Sequence, residues 1–256
     1  MKTFFTILVL CVPGMRLPAQ DTPRPFEVGM STAISTSMNT VTPPRGWKVL
    51  PGLEALPDVF VSTVLPVWQS AGIAAGLDMG LSSSSVRCSS TTTSGDPFML
   101  SMRYASVVPT IVAGNVFVGC GVHLPVSARR ALTDGSQSSE SVTMAGKDVT
   151  LRSLVGTLID IRAGVVLPFI EDEHGVLSGI VSCSYQVTSS FASPDVSGTI
   201  LYSQMSPTAA YDPAVVHVRA GLRYLFSFHG SGDNESEPPT AVPGAPEMSP
   251  DLQPRR

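Results

Sequence analysis

The sequence predicts an all-β protein, an eight-stranded antiparallel up-and-down transmembrane β-barrel with short periplasmic turns and long extracellular loops. The first reason is the alternation of apolar and polar side chains over residues 215–228, VVHVRAGLRYLFSF, which is the period of a β-strand. The second reason is that seven further segments look like strands and are joined by alternately short and long connections. The third is an export signal at the amino terminus. Together these features favour a bacterial outer-membrane protein.

Residues 1–19 have the layout of a secretory signal peptide. Lys2 supplies the positive charge, FFTILVLCV forms an apolar core too short to span a bilayer, and Leu17-Pro18-Ala19 is a suitable cleavage site. No later segment has the roughly 18 consecutive apolar residues of a membrane helix. We therefore expect the chain to leave the cytoplasm without a helical anchor.

The barrel domain is predicted over residues 20–228. Its eight strands are expected at 26–36, 58–66, 69–85, 98–112, 115–128, 151–169, 175–190 and 214–228. The tight connections lie at 66–69, 112–115 and 169–175, and the long polar ones at 37–57, 86–97, 129–150 and 191–213. Because the number of strands is even, short turns on one side place both termini in the periplasm and the long loops outside the cell.

The two faces of each predicted strand are inverted relative to a soluble barrel. One face is apolar and is expected to contact lipid, whereas the other is rich in glycine, alanine, serine and charged residues and is expected to face the lumen. Leu225 is the one apolar residue on the polar face of the last strand. An aromatic girdle at the periplasmic end is expected from Phe26, Trp68, Phe117, Phe169, Phe226 and Phe228, although Phe117 has the spacing of an inward residue.

The composition agrees with strands that alternate. Charged residues make up only 14% of the chain and hydrophobic residues 43%, and the mean hydropathy is +0.24, yet no long segment is continuously apolar. The net charge of −4 offers no basic surface for nucleic acid, so no nucleic-acid partner is expected.

Charged residues on the inward faces predict a network that fills the lumen. Ionised side chains that are removed from water need partners of opposite charge. We therefore expect carboxylates and guanidinium groups to pair inside the barrel and to close it. The expected members of this luminal charge network are Glu27, Asp78, Arg103, Asp160, Arg162, Arg219 and Arg223.

The sequence contains no motif that points to an enzyme. It has no Gly-x-Ser-x-Gly, no His-Glu-x-x-His and no glycine-rich phosphate loop. The acidic run Glu171–His174 is better explained as a hairpin turn than as a metal site. No catalytic residue, metal ligand or cofactor is therefore predicted. One alternative is an outer-membrane acyltransferase, in which His123 or His217 would work with a loop serine.

Several of these segments resemble a known family. The hairpin YASVVPTIVAGNVFVGCGVHLPVS at 104–127, with Pro109 and the spacing of Phe117, Gly119 and Gly121, resembles the small porin-family barrels of Bacteroidetes-type bacteria. These are PorT-like proteins, and the chain is more loosely similar to the eight-stranded OmpA-like barrel. The resemblance implies an outer-membrane barrel surrounded by lipid and says little about activity.

The last predicted strand also resembles the signal that the barrel-assembly machinery reads. The matching positions are Arg219, Gly221, Tyr224 and Phe226. In the family pattern this strand usually closes the polypeptide, whereas here residues 229–256 follow it. Those residues are rich in proline and acidic side chains, and we expect them to form a disordered periplasmic tail.

Two classes of function follow from the sequence. The first is a structural or interaction barrel with a closed lumen, whose loops or termini meet an extracellular or periplasmic protein partner. The alternative is a narrow pore or a barrel that binds a small ligand. A soluble lipocalin-like carrier would require the apolar face to point inward. The sequence names no ligand, partner or cellular process.

Overall fold

The computed structural model describes residues 26–40, 47–53, 56–68, 71–90, 98–132, 138–144, 146–172, 174–192 and 215–228. The predicted signal peptide and the predicted tail lie outside these described residues. Among the described residues, no helix has the length and apolar character needed to cross a bilayer.

Eight long strands form the body of the protein. They are β1 (Phe26–Asn39), β2 (Asp58–Trp68), β3 (Ile73–Ser90), β4 (Phe98–Ala113), β5 (Val116–Leu132), β6 (Leu158–Glu171), β7 (Gly175–Gln186) and β8 (Val215–Phe228). Each strand pairs antiparallel with the next along the chain, and β8 pairs with β1 over their whole length. The sheet is therefore a closed up-and-down barrel, and the predicted fold class is confirmed.

The connections differ at the two ends of the barrel. At one end, which we call the turn end, β2–β3, β4–β5 and β6–β7 are joined by short turns. The β4–β5 turn has only Gly114 and Asn115, and Gly114 has a φ of 58°, which suits the two-residue hairpin turn. At the other end, the loop end, connections are longer and carry short strands at Trp47–Leu50, Gly52–Leu53, Ser138–Ser139, Ser141–Met144 and Lys147–Thr150.

One predicted strand begins later than expected. Instead of continuing the strand over 151–157, the chain forms one helical turn, α1 (Leu151–Leu154), before β6. Val155 lies within the predicted strand but not on the apolar outer face, because Val155 bridges to Phe191 and both side chains are buried. Leu151 and Val155 pack into an apolar core at the loop end, and this packing overrides the alternation.

The outer wall carries an apolar belt. Its exposed members include Met30, Ile34, Val59, Val61, Leu65, Met79, Leu81, Val107, Ile111, Val118, Val122, Leu124, Ile159, Ile161, Val181 and Leu222. On β4 the belt runs from Ala105 to Ala113, close to the about 9–11 residues that a tilted strand needs to cross a bilayer. These faces agree with the sequence prediction.

An aromatic border closes the belt at the turn end. Phe26, Trp68, Phe169, Phe226 and Phe228 are all exposed there, and the rings of Phe26 and Phe228 are 6.0 Å apart. Phe117 is the exception, and its predicted place in the girdle is wrong. Its ring lies inside the barrel over Gly164, its direct partner on β6, where any added side chain would collide with it.

The inward side chains form three layers. At the turn end, Phe117 and Leu225 join an apolar turn-end cluster with Val64, Ala74 and Val112. This cluster accounts for the apolar Leu225 on the otherwise polar face of β8. Above it lies a polar layer. At the loop end, the apolar loop-end cluster consists of Val86, Cys88, Leu100, Met102, Tyr104, Ala128, Leu151, Val155, Leu158 and Phe191.

Candidate functional site: the polar layer of the lumen

The polar layer lies between the two apolar clusters and draws side chains from all eight strands. Its buried members include Ser35, Ser37, Asp58, Ser62, Ser82, Ser84, Ser106, His123, Asp160, Arg162, Ser182, Ser184, Gln186, His217 and Arg219. They point inward because they alternate with the outward residues of the apolar belt. Ionised groups in such a place must be paired, and the structure shows two centres of pairing.

The first centre is the ion pair between Asp58 and Arg219. Arg219 Nε donates to Asp58 Oδ2 at 2.8 Å, and both side chains are buried. The other carboxylate oxygen, Oδ1, accepts the backbone N–H of Ser83 at 2.7 Å, and Arg219 Nη1 donates to Ser184 Oγ at 2.9 Å. One charged pair therefore ties β2, β3, β7 and β8 together across the lumen.

The second centre is the carboxylate of Asp160. Its Oδ2 lies 3.5 Å from Arg162 Nη2 and 3.8 Å from Arg219 Nη1, so Arg219 joins the two centres. Its Oδ1 lies 3.2 Å from Nε2 of His123. Gly121 faces Asp160 on the neighbouring strand, and a side chain there would collide with both Asp160 Oδ1 and His123 Nε2. The glycine thus provides the space for this contact.

His123 also connects the carboxylate to a pair of serines. Its Nδ1 lies 2.8 Å from Ser106 Oγ and 3.3 Å from Ser82 Oγ, and the two hydroxyl oxygens are 2.6 Å apart. The ring of Tyr104 stands edge-on to the imidazole with centroids 6.3 Å apart. The second luminal histidine, His217, has Nδ1 at 3.4 Å from Ser37 Oγ.

The structure brings together some, but not all, of the residues predicted to form the luminal charge network. Asp160, Arg162 and Arg219 lie together in the polar layer, and Asp78 on β3 acts electrostatically on Arg162. Arg162 also lies over the Phe60 ring, 5.8 Å from its centroid. Arg223 is buried nearer the turn end, where it faces Ser31 across the β1–β8 seam. Glu27 is half-buried and faces Ser227, close to the turn-end border.

The prediction for Arg103 is wrong. On β4 the buried residues are Leu100, Met102 and Tyr104, so the alternating residue Arg103 lies on the outer wall. The prediction assumed that a charged side chain always points into the lumen. At the loop end the inward side chains of β4 belong to the apolar loop-end cluster, and the charge of Arg103 lies on the outer wall.

Asp58 is a central member of the site that the sequence prediction missed. It lies at the first residue of β2, where a carboxylate looks like part of a loop. The sequence did contain one indication that Asp58 faces inward, namely its position in the alternating pattern of β2. Val59 and Val61 are exposed on the belt, so Asp58 shares the inward face with Phe60 and Ser62.

Very little open space remains around these groups. The cavity lined by Ser82, Tyr104, His123, Asp160, His217 and Arg219, with four neighbours, has a volume of about 10 Å³. That is room for about one water molecule. Among the described residues, no group of three or more His, Cys, Asp or Glu side chains could hold a metal ion.

Ser106, His123 and Asp160 have the residue types of a hydrolytic triad, yet their surroundings do not suit acyl transfer. All three are at most 3% exposed, and the adjoining cavity admits a water molecule rather than an acyl group. A nucleophilic serine must be reached by its substrate and by donors for the developing oxyanion. Both luminal histidines contact serines of strands, not of loops as the acyltransferase alternative required.

The four residues that match the assembly signal lie on β8 with different surroundings. Arg219 is in the ion pair described above, and Gly221 faces Ala33 on β1, where an added side chain would collide with the backbone of β1. Tyr224 and Phe226 share the outer wall, with ring centroids 4.7 Å apart at an interplanar angle of 81°. The signal itself stays a prediction.

Comparison with known proteins identifies no family, because no family model matches the chain and no curated protein matches it. Solved structures that it is similar to are small outer-membrane barrels. Neisserial surface protein A (NspA) is 12% identical, with 79% of this chain and 97% of that chain covered and a TM-score of 0.35. Ail of Yersinia pestis, solved with the heparin analogue sucrose octasulfate, is 12% identical, with 80% and 100% covered and a TM-score of 0.36.

The outer membrane protein OprG from Pseudomonas aeruginosa is 9% identical, with 82% of this chain and 99% of that chain covered and a TM-score of 0.33. At such low scores the description of the fold rests on the strand pairing of this chain itself. These comparisons do not test the PorT-like resemblance, which stays a prediction.

Proposed function

We propose that the protein is a bacterial outer-membrane barrel with a structural or interaction role and a closed lumen. The observation that carries this proposal is the filling of the lumen. Two apolar clusters lie on either side of the polar layer, and the cavity beside His123 and Asp160 in that layer has a volume of about 10 Å³.

Placement in the outer membrane is supported by the outer wall. A closed barrel satisfies every ladder hydrogen bond internally, which hydrocarbon requires of a spanning structure. Apolar side chains such as Met30, Ile34 and Ile111, each more than half exposed, would contact water in a soluble protein. In a bilayer they would contact acyl chains, and the aromatic border would lie at the headgroups.

Closure is supported by the energetics of the polar layer. Opening a path for ions would require Arg219 to separate from Asp58 and Asp160 while all three remain far from bulk water. Breaking a buried pair in this way costs about 3–5 kcal/mol. The turn-end cluster, with Phe117 over Gly164, would still close the periplasmic side.

The remaining parts of the proposal concern orientation and partners. The turn end, with both termini, faces the periplasm, and the longer loops face outward. The barrel-assembly machinery recognises β8 through Arg219, Gly221, Tyr224 and Phe226, and a protein partner binds outside the membrane-embedded wall. We propose no catalytic activity and no cofactor, since the charged side chains serve as partners of one another.

Recording from planar bilayers tests the closed lumen. The folded protein should insert, which is checked by its heat-dependent gel mobility, and should give no current steps. The matched variant Asp58→Ser with Arg219→Ser removes one ion pair as a unit, and it should also give no current steps, because the two apolar clusters remain in place. Steady current steps from the unaltered protein would contradict closure and favour the narrow-pore alternative.

A further inference from the structure

Three arginines form a cluster on the outer wall at the loop end, which we call the outer arginine cluster. Arg103 on β4 faces Ser127 on β5, and Arg129 faces Ser101, so the two arginines are diagonal neighbours. Such neighbours lie about 7–8 Å apart, within reach of one shared ligand. Arg152 in α1 donates Nε to the carbonyl oxygen of Pro125 at 3.4 Å, which places it beside the same stretch of β5.

The charge of this cluster is not neutralised by the described part of the chain. No carboxylate of a described residue lies within ion-pair distance of Arg103, Arg129 or Arg152. Arg129 Nη2 donates to Ser138 Oγ at 2.5 Å, and Arg103 donates no hydrogen bond to a described residue. Within the described part of the chain, most of the guanidinium N–H groups therefore have no partner, and they can donate to a bound anion.

The cluster lies at the border of the apolar belt. On the same outer wall, the next residues toward the turn end are Ala105 and Val107 on β4 and Leu124 and Val126 on β5, all exposed. The arginines therefore stand at the level where acyl chains end and headgroups begin. At this level the aliphatic part of a long basic side chain can pack against the belt while its charged group extends toward the headgroups.

The two ends of the outer wall differ in charge. Among the described residues, every lysine and arginine on the outer wall or in a connection lies at the loop end: Lys48, Arg87, Arg103, Arg129, Lys147 and Arg152. The turn end instead carries Glu171 and Asp172 and, within the described residues, no cation on its outer wall. The loop end is therefore the end that an anionic membrane surface would attract.

We propose that the outer arginine cluster binds the phosphorylated headgroup of a lipid in the outer leaflet. Guanidinium groups donate paired N–H groups to phosphate oxygens, so the diagonal pair of Arg103 and Arg129 can share one phosphate, and Arg152 adds positive charge beside the same strand. The lipid's acyl chains then lie along Val107, Leu124 and Val126. This inference rests on the proposed function, since it requires the belt to be in a membrane.

Lipid titration of the folded full chain in zwitterionic detergent tests the site, with binding counted by native mass spectrometry. The probe is lipid A carrying its phosphates, compared with the same lipid after phosphatase treatment. Arg103→Gln with Arg129→Gln should weaken binding of the phosphorylated form by roughly ten- to thirty-fold. The control, Lys48→Gln with Lys147→Gln, removes the same charge from the same end and should change binding less than about twofold.

Each other outcome has a definite meaning. Equal losses in both double variants, or equal binding of the phosphatase-treated lipid, would overturn the site. Inorganic phosphate alone should not compete at millimolar concentration, and competition by phosphate would replace the lipid site with a simple anion site. Failure of the protein to insert into phosphatidylcholine vesicles would contradict the proposed function, whereas insertion with unchanged lipid binding in Arg103→Gln/Arg129→Gln would contradict this inference alone.

Discussion

Two regions of the barrel can be compared on the same strands: the belt half, which on β4 is Ala105–Ala113, and the loop-end extension, which on β4 is Phe98–Tyr104. The polar and apolar faces of the strand are exchanged between them. On β4, Val107, Pro109 and Ile111 face outward and Ser106 and Thr110 face inward. A few residues further toward the loop end, Arg103 and Ser101 face outward, and Leu100, Met102 and Tyr104 are buried inside. On β4 the direction of each side chain follows one unbroken alternation, and only the chemistry of the two faces reverses.

The reversal is the pattern that the proposed membrane placement predicts, because the surroundings of the outer wall would then determine which face is apolar. Where the wall meets hydrocarbon, apolar residues face outward and the lumen holds the polar groups. Where the wall meets water, the lumen becomes an ordinary apolar core and the charges move outside, as in a soluble sheet. In the proposed placement, the loop-end cluster is thus an apolar core, like that of a soluble protein, outside the membrane-spanning part of the barrel.

On β5 the same transition coincides with a β-bulge. The pairing shifts between Arg103 and Tyr104 of β4, so that Val126 is the extra residue of β5. Below the bulge His123 is inward, and above it Ala128 is inward, so the inward residues change from odd to even positions. Bulges of this kind re-aim side chains near the rim of a barrel.

The largest expected effect belongs to the polar layer of the belt half. Arg219→Leu leaves Asp58 and Asp160 without their shared cation and should lower the free energy of unfolding by about 3–5 kcal/mol. Urea unfolding in phosphatidylcholine vesicles measures it. Adding Asp58→Asn should recover part of the loss, because it removes the carboxylate that is left unpaired. If Asp58→Asn gave no recovery, the Asp58–Arg219 pair would not be the stabilising contact.

The next effect contrasts the two regions on one strand. Leu100→Ala removes a fully buried side chain from the loop-end cluster and should cost about 2–5 kcal/mol, as in a soluble core. Ile111→Ala removes a lipid-facing side chain, where acyl chains can fill the space, and should cost less than about 1 kcal/mol. Equal losses in the same unfolding assay would mean that the two regions share one environment.

The smallest pair of effects concerns charge on the outer wall. Leu222→Arg puts a cation on the belt and should cost up to about 2–4 kcal/mol, less if position 222 lies near an interface. Arg103→Leu removes a cation from the extension and should change stability by less than about 0.5 kcal/mol in zwitterionic vesicles. A harmless Leu222→Arg together with a damaging Arg103→Leu would show that the assignment of the two regions is reversed.

The belt half could be predicted well from the sequence because one local rule governs it. Apolar and polar residues alternate through every strand that crosses the belt, and the bounds of β1, β2, β4 and β8 follow from that alternation. Pairing partners inside the lumen could be anticipated for Asp160, Arg162 and Arg219 for the same reason.

The extension could not be predicted, because an alternating strand reveals two faces but does not say which one meets water. Arg103 was placed in the lumen by its charge, although its own alternation with Tyr104 puts it outside. Phe117 and the helical turn α1 depend on space that other strands leave open, such as the gap above Gly164. Contacts of this kind are visible only once the strands are assembled.

The account depends most directly on the reversal along β4, which spin-label accessibility can measure. Cysteines introduced one at a time at Ser101, Ala105, Val107, Pro109 and Ile111, after replacement of Cys88, Cys120 and Cys183, carry the label on one face of one strand. In vesicles, labels from Val107 to Ile111 should be reached by oxygen and shielded from a water-soluble nickel chelate, whereas the label at Ser101 should show the opposite. Access of the nickel chelate to all five positions would contradict the membrane belt.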